Sequence, residues 1–174
     1  MTRTGVTRAG GGLLAALSII FLAGFGLAGR HPVPGEFLIE AGARDGLRQL
    51  WAASTSARAE RAACLTATTD GDTLRITRVL PLESTMNDSL AISATASLES
   101  CAPPHWQGTV HSHVALRDGQ RPYPNFSGAD RGVMSMWWQR WGTEGVFCLV
   151  FGGDQVHCEI DGVNGLRIYP SGRY

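Results

Sequence analysis

The stretch AACLTATTDGDTLRITRVL, residues 62–80, predicts a β-hairpin, and this hairpin indicates how the fold is organised. Apolar and polar residues alternate on both sides of Asp70-Gly71-Asp72, as they do in strands that bury one face. The Asp-Gly pair favours a tight turn, because glycine adopts a positive φ without steric cost. We therefore expect two antiparallel strands, the second of which ends at Pro81.

Helical and strand-like patterns continue on both sides of this hairpin. An apolar stripe within residues 43–54 predicts an amphipathic helix, and the 3–4 spacing of one methionine and three tryptophans predicts another that begins at Ser127. We interpret the tryptophans as core packing rather than as ligand contacts. The remaining strands are expected at residues 90–96, 107–113, 146–151, 155–160 and 166–169. The order predicts an α+β fold with a mixed, mostly antiparallel β-sheet flanked by helices.

Length and charge limit the functional classes. The chain has 174 residues, which is enough for one domain with a real core. Its 15 basic and 15 acidic residues give a formal net charge of zero. Since no run of lysine and arginine interrupts this balance, nucleic acid is not an expected partner.

The N-terminal segment has the composition of an export signal. Residues 11–28 carry no charge and follow Arg3 and Arg8, so residues 1–30 are expected to be a signal peptide or an N-terminal membrane anchor. Small residues near position 28 favour cleavage, whereas the length of the apolar run favours an anchor. Either alternative places the remaining chain outside the cytoplasm, as a periplasmic, secreted or membrane-anchored domain.

The rest of the chain divides at a proline-rich stretch. Residues 31–42, which begin His-Pro-Val-Pro-Gly, are interpreted as a linker, and residues 43–174 as the folded domain. A wrongly assigned start site is the alternative to export, and it would make the domain cytoplasmic.

Four cysteines fit a disulfide framework in an exported protein: Cys64, Cys101, Cys148 and Cys158. Three pairings are open, and free buried thiols are a further alternative. The last two cysteines flank a Gly-Gly-Asp turn at equal distances, so they could face each other across a hairpin. The absence of a Cys-x-x-Cys spacing argues against a metal site built from them.

Two motifs carry candidate metal ligands. His111 and His113 stand two apart in a predicted strand, so both imidazoles point to the same face and can share one ion. Such a pair is also common as polar surface. The motif Ser127-Gly128-Ala129-Asp130 is a capping box by pattern, and it also brings a carboxylate to a helix start.

A glutamate completes the set. Glu60 stands just before the strand that begins at Ala62, where a lone glutamate is normally a solvated surface group. Together, Glu60, His111-Ser112-His113 and Ser127-Gly128-Ala129-Asp130 resemble the signature of the JAMM (MPN+, Mov34/JAB domain) zinc metallopeptidase family. The similarity spans about residues 43–160. Two departures from the family pattern are Val114, where proline is usual, and the long loop of 13 residues that it begins.

The resemblance implies a fold, a cofactor and a reaction. The fold would be an MPN/JAB-like, cytidine-deaminase-like α-β-α sandwich. One catalytic Zn²⁺ would be bound by His111, His113 and Asp130, with water in the fourth position. Glu60 would act as base and then acid, and Ser127 would donate a hydrogen bond to the tetrahedral oxyanion.

The expected reaction is hydrolysis of a peptide or isopeptide bond in a peptide or protein substrate. A ubiquitin-like modifier and a cell-wall peptide are equal candidates. Glu83 is the rival base, and it ranks below Glu60 because a position ahead of a strand fits the family better. The other histidines, His31, His105 and His157, are expected to be structural or on the surface. The alternative function is a non-catalytic, metal-free MPN-like domain that binds a partner.

Overall fold

The structure is a computed structural model that describes residues 36–83, 94–114, 122–162 and 165–174. The predicted export or anchor segment and His31 lie outside these residues. Within the described part of the chain, no helix has both the length and the apolar character needed to cross a membrane.

The chain alternates between strands and helices in an α+β order. The described elements are β1 (Glu36–Ile39), α1 (Ala41–Ala57), β2 (Ala62–Asp70), β3 (Thr73–Pro81), α2 (Ala94–Ser100), β4 (Gly108–Ser112), α3 (Gly128–Trp141), β5 (Gly145–Gly152), β6 (Gln155–Asp161), β7 (Arg167–Ile168) and β8 (Gly172–Arg173).

One mixed sheet joins all of these strands in the order β1-β3-β2-β4-β5-β6-β7, and β8 also pairs with β6. Two pairs are parallel, β1 with β3 and β4 with β5, and the others are antiparallel. The predicted mixed, mostly antiparallel sheet flanked by helices is therefore confirmed.

Both predicted hairpins form. Strands β2 and β3 turn at Asp70-Gly71-Asp72, where Gly71 has a φ of 57°. Strands β5 and β6 form the second hairpin, and β7 lies at the edge where a strand was expected.

Each face of the sheet carries its own apolar core. Helix α1 covers one face with Ala43, Leu47 and Leu50, which are almost completely buried. Helices α2 and α3 cover the other face, with Leu98, Met134 and Trp137 as buried contacts. Because side chains alternate along a strand, consecutive residues of β4 point towards different helices.

The tryptophan prediction is right for two of the three residues. Trp137 is fully buried, and Trp141 packs against the same core. Trp138 lies on the outer side of α3 and is 39% exposed, so the core assignment is wrong there. The 3–4 spacing spreads three large side chains over more of the helix surface than the sheet can cover.

Two segments differ from the sequence prediction. Residues 94–96, expected within a strand, begin helix α2; residues 90–93 lie outside the described part of the chain. The small residues of this segment have no strong preference for strand or helix, and the burial of Leu98 and Cys101 favours the helix. Glu36–Ile39 forms strand β1 inside the stretch interpreted as a linker, since Ile39 is buried opposite Ile76 of β3.

The cysteines form two disulfides. Cys64 of β2 is joined to Cys101, which follows α2, and Cys148 is joined to Cys158 across the β5–β6 hairpin. The second pairing agrees with the symmetric positions of these residues around the turn. The first could not be read from spacing, because 37 residues separate its partners.

We expect peptide mapping of the unreduced protein to recover Cys64–Cys101 and Cys148–Cys158. Removing the first bond in the double variant Cys64→Ala/Cys101→Ala should lower the free energy of unfolding by about 2–4 kcal/mol, measured by urea titration, since the bond restricts a long loop of the unfolded chain. Recovery of any other pairing, or of four free thiols, would contradict this arrangement.

Gly46 marks the closest approach of α1 to the sheet. A Cβ atom there would lie 2.3 Å from the carbonyl oxygen of Val79, whereas one at Gly132 of α3 meets no described atom within 4 Å. We expect Gly46→Ala to cost about 1–3 kcal/mol by overpacking. Gly132→Ala, the matched control, should gain up to about 1 kcal/mol from helix propensity. Equal effects of the two substitutions on urea unfolding would refute the close approach.

Candidate metal centre

The two histidines lie where β4 ends. His111 is in register with Ala62 of β2 and Leu149 of β5, and His113 continues the strand by donating its backbone N–H to the Val150 carbonyl at 2.9 Å. Both imidazoles point to the face of the sheet that α3 covers. Their Nε2 atoms are 3.2 Å apart.

Asp130 reaches this pair from the first turn of α3. Its backbone N–H donates to the Ser127 hydroxyl, and its Oδ2 accepts from the Ser127 N–H at 2.6 Å, so the predicted capping box is present. The same carboxylate places Oδ1 3.3 Å from His111 Nε2 and Oδ2 3.5 Å from His113 Nε2. Capping and ligand geometry are thus compatible in one side chain.

These three side chains form a cluster that could hold a metal ion. One ligand atom from each of His111, His113 and Asp130 lies within 4.8 Å of the other two. All three side chains are largely shielded from solvent, with exposed fractions between 11% and 19%. Two imidazole nitrogens and one carboxylate oxygen suit a borderline-soft divalent cation.

The loop before α3 orients one of the ligands. His113 Nδ1 donates to the Tyr123 carbonyl at 2.9 Å, and a carbonyl can only accept. The bond therefore keeps the proton on Nδ1 and leaves the Nε2 lone pair free for a cation. No motif in the sequence indicated this contact, since it uses a backbone oxygen from the loop.

The cluster lowers the pKa of its carboxyl group and raises the pKa of the His113 imidazole. Burial would raise the pKa of Asp130, but its hydrogen bonds with His111 and His113 outweigh burial and hold that pKa well below the usual range. Burial opposes charge on His113 as well, yet its hydrogen bonds to Asp130 and to the Tyr123 carbonyl raise its pKa. A cation bound here would compete with protons for the same imidazole nitrogens and carboxylate oxygens.

Glu60 lies beside the cluster without belonging to it. It occupies the connection between α1 and β2, with Oε1 4.0 Å from His113 Nε2. Burial raises the pKa of Glu60, and the two nearby histidines oppose that shift. A carboxyl group beside a cation site, with its pKa raised by burial, is a candidate for proton transfer.

The other sequence candidates lie elsewhere. Glu83 is exposed just beyond β3, and His105 is exposed before β4. His157 is buried and bonded to Glu159 and Ser171, which agrees with a structural role. Ser127 is exposed at the helix start, where its hydroxyl serves the capping box.

An aromatic ring separates the cluster from a second polar group that sequence patterns did not indicate. The Phe126 ring lies 5.7 Å from the His111 ring and 5.8 Å from that of His157. Behind this ring, Arg131 makes a bidentate ion pair with the buried Glu159. This pair anchors the residue that follows Asp130, so it steadies the start of α3.

Comparison with known proteins gives no family assignment. The chain matches no protein-family model and no curated protein. Among solved structures it is similar to the solution structure of protein DSY2949 from Desulfitobacterium hafniense, at 14% identity and a TM-score of 0.45. That match covers 76% of this chain and 89% of the other.

We expect the purified protein to retain one divalent metal ion per chain after dialysis at neutral pH. His113→Ala should lose most of it, because two ligands hold such an ion far less tightly than three. His105→Ala, which removes an exposed histidine outside the cluster, is the control and should retain the metal. Elemental analysis gives the stoichiometry. A metal-free parent, or a His113→Ala protein as fully loaded as the parent, would contradict the site.

Proposed function

We propose that the chain is a zinc-dependent peptidase or isopeptidase of the JAMM type, with an MPN/JAB-like fold. The observation that carries the proposal is the spacing of the donor atoms: the two Nε2 atoms are 3.2 Å apart, Asp130 Oδ1 lies 3.3 Å from His111 Nε2, and Asp130 Oδ2 lies 3.5 Å from His113 Nε2. Ligands bound to zinc at about 2.0–2.1 Å in tetrahedral geometry are separated by about 3.3–3.4 Å. The three distances are close to that separation, which supports a zinc ion bound by two imidazoles and one carboxylate.

The donor set also favours a catalytic over a structural ion. Structural zinc sites are closed by four protein ligands, whereas this cluster offers three among the described residues. A bound zinc would supply Lewis acidity, polarising the scissile carbonyl and lowering the pKa of a bound water to about 7.

The chain's own side chains supply the proton transfers. Glu60 Oε1 would accept the proton of the attacking water and return it to the leaving amine. Its partial burial, which raises the pKa of the carboxyl group, favours uptake of this proton. Tyr123, through its carbonyl, would hold the His113 ring while these steps occur. We assign the oxyanion hydrogen bond to Ser127, which lies one helical turn from the carboxylate ligand.

The substrate and location are part of the proposal. The charge-free N-terminal segment favours a domain outside the cytoplasm, or one anchored in the inner membrane, and disulfides are typical of such compartments. In that setting a cell-wall peptide is the preferred substrate. A ubiquitin-like substrate becomes the better choice if the domain is cytoplasmic.

We expect Glu60→Gln to keep its metal and lose turnover by about 10²–10⁴-fold, since it keeps the shape of the side chain but removes the base. Glu83→Gln, the matched control at the rival glutamate, should behave as the parent. Turnover is measured with a quenched-fluorescent peptide mixture, an ε-linked lysine isopeptide and a cell-wall stem peptide.

Two outcomes would contradict parts of this proposal. Unchanged turnover in Glu60→Gln would remove Glu60 as the base. A zinc-loaded parent that cleaves none of the three substrates would favour the partner-binding alternative over a hydrolase.

A further inference from the structure

The serine between the two histidines points away from the metal cluster. Strand alternation places Ser112 on the α1 face while His111 and His113 face α3. Its side chain is completely buried there, against Ser54 near the C-terminal end of α1, which is also completely buried. The two hydroxyl oxygens are 2.5 Å apart.

Donor and acceptor rules give this hydroxyl pair one direction. The Ser54 hydroxyl lies 2.5 Å from the Ala59 carbonyl, which can only accept, so Ser54 uses its single proton there. Ser112 must then donate to Ser54. The Ser112 oxygen in turn accepts the Arg61 backbone N–H at 3.0 Å. The result is a chain of three hydrogen bonds: Arg61 N–H to Ser112, Ser112 to Ser54, and Ser54 to the Ala59 carbonyl.

This chain of hydrogen bonds encloses Glu60. The Ala59 carbonyl belongs to the peptide group before Glu60, and the Arg61 N–H belongs to the peptide group after it. A further bond from the Ser112 N–H to the Arg61 carbonyl, at 3.0 Å, ties the same segment to β4. Both peptide groups that flank Glu60 are therefore held by the Ser54–Ser112 pair: Ser54 binds the one before it and Ser112 the one after it.

Local backbone bonds cap the end of α1, where the Arg58 and Ala59 N–H groups donate to the Thr55 and Ser54 carbonyls at 3.3 and 3.2 Å, and the serine chain ties the residues that follow to β4. Helix α1 ends at Arg58 in the left-handed region, with a φ of 50°, and the chain then reverses before β2. A non-glycine residue in this conformation is uncommon, and it is retained only where surrounding contacts impose it. Hydrogen bonds in a buried chain also strengthen one another.

We propose that Ser112 and Ser54 are positioning residues that set Glu60 relative to the metal cluster. The inference rests on the proposed function for the role of Glu60, and on the hydrogen bonds above for its position. One three-residue strand segment would then hold the metal with its outer residues and the base with its middle one. The alternation of side chains along β4 would thereby set the distance between the base and the metal.

The test compares Ser112→Ala and Ser54→Ala with Glu60→Gln in the full-length protein. All three should bind one Co²⁺ as the parent does, because none of the three substituted residues is a metal ligand. The visible absorption spectrum of the cobalt protein, which reports on the surroundings of the ion, should change in both serine variants in the same sense as in Glu60→Gln. With an active substrate, kcat should fall about 10–100-fold at nearly constant KM, since a base misplaced by about 1 Å costs that much.

Controls separate positioning from a loss of stability. Thr66→Ala removes one partner of a second hydroxyl pair, with Thr77 at 2.6 Å, and should leave the cobalt spectrum and kcat at parent values. Ser112→Thr keeps the hydroxyl and should restore most of the parent spectrum. The double variant Ser54→Ala/Ser112→Ala should be no worse than the more affected single one, because the two serines act as one unit.

Two results would overturn the inference. One is a parent-like cobalt spectrum in both serine variants; the other is an effect no larger than that of Thr66→Ala at equal melting temperature. Failure of the proposed function looks different: the parent binds cobalt and cleaves nothing. In that case the spectra alone decide whether the serines place Glu60 beside the ion.

Discussion

The Asp130 carboxylate is the constraint on which the rest of the site depends. One of its oxygens accepts the Ser127 N–H, which fixes the first turn of α3, and both oxygens face the imidazoles at the end of β4. Burial penalises a carboxylate unless several donors compensate it, and here the hydrogen bonds win, since they lower its pKa. The start of α3 and the end of β4 are therefore held together by this one side chain. The Arg131–Glu159 ion pair adds a contact between α3 and β6.

Strand β4 connects the two halves of the site because its side chains alternate. Its histidines face α3 and receive the carboxylate, while Ser112 faces α1 and holds the segment that carries Glu60. The two histidines and the serine that holds the Glu60 segment thus belong to one strand and face opposite layers. A sheet strand is rigid on the scale of side-chain motion, so this arrangement would keep the proposed base and the proposed ligands at a constant separation.

Local patterns predicted most of the elements and the ligand motifs. The sequence predicts helix α1, both hairpins and the capped start of α3. The periodicity, turn residues and capping residues that indicate these elements each lie within a few residues of chain. Strand β1 was missed because four residues carry little periodicity and their parallel partner, β3, is distant in sequence. The sequence predicts a strand at residues 94–96 because small residues satisfy strand and helix patterns equally, and the burial of Leu98 favours the helix that forms there.

The sequence by itself determined which residues could share a face: the two histidines, through the period of two in a strand, and the Ser127–Asp130 cap, through the first turn of a helix. Only the tertiary structure decided which distant residues meet. Ser54 and Ser112 lie 58 positions apart, and Cys64 and Cys101 lie 37 apart, so no local pattern links them. The physical reason is that local pattern encodes the direction of a side chain, whereas the partner it meets depends on how the layers pack.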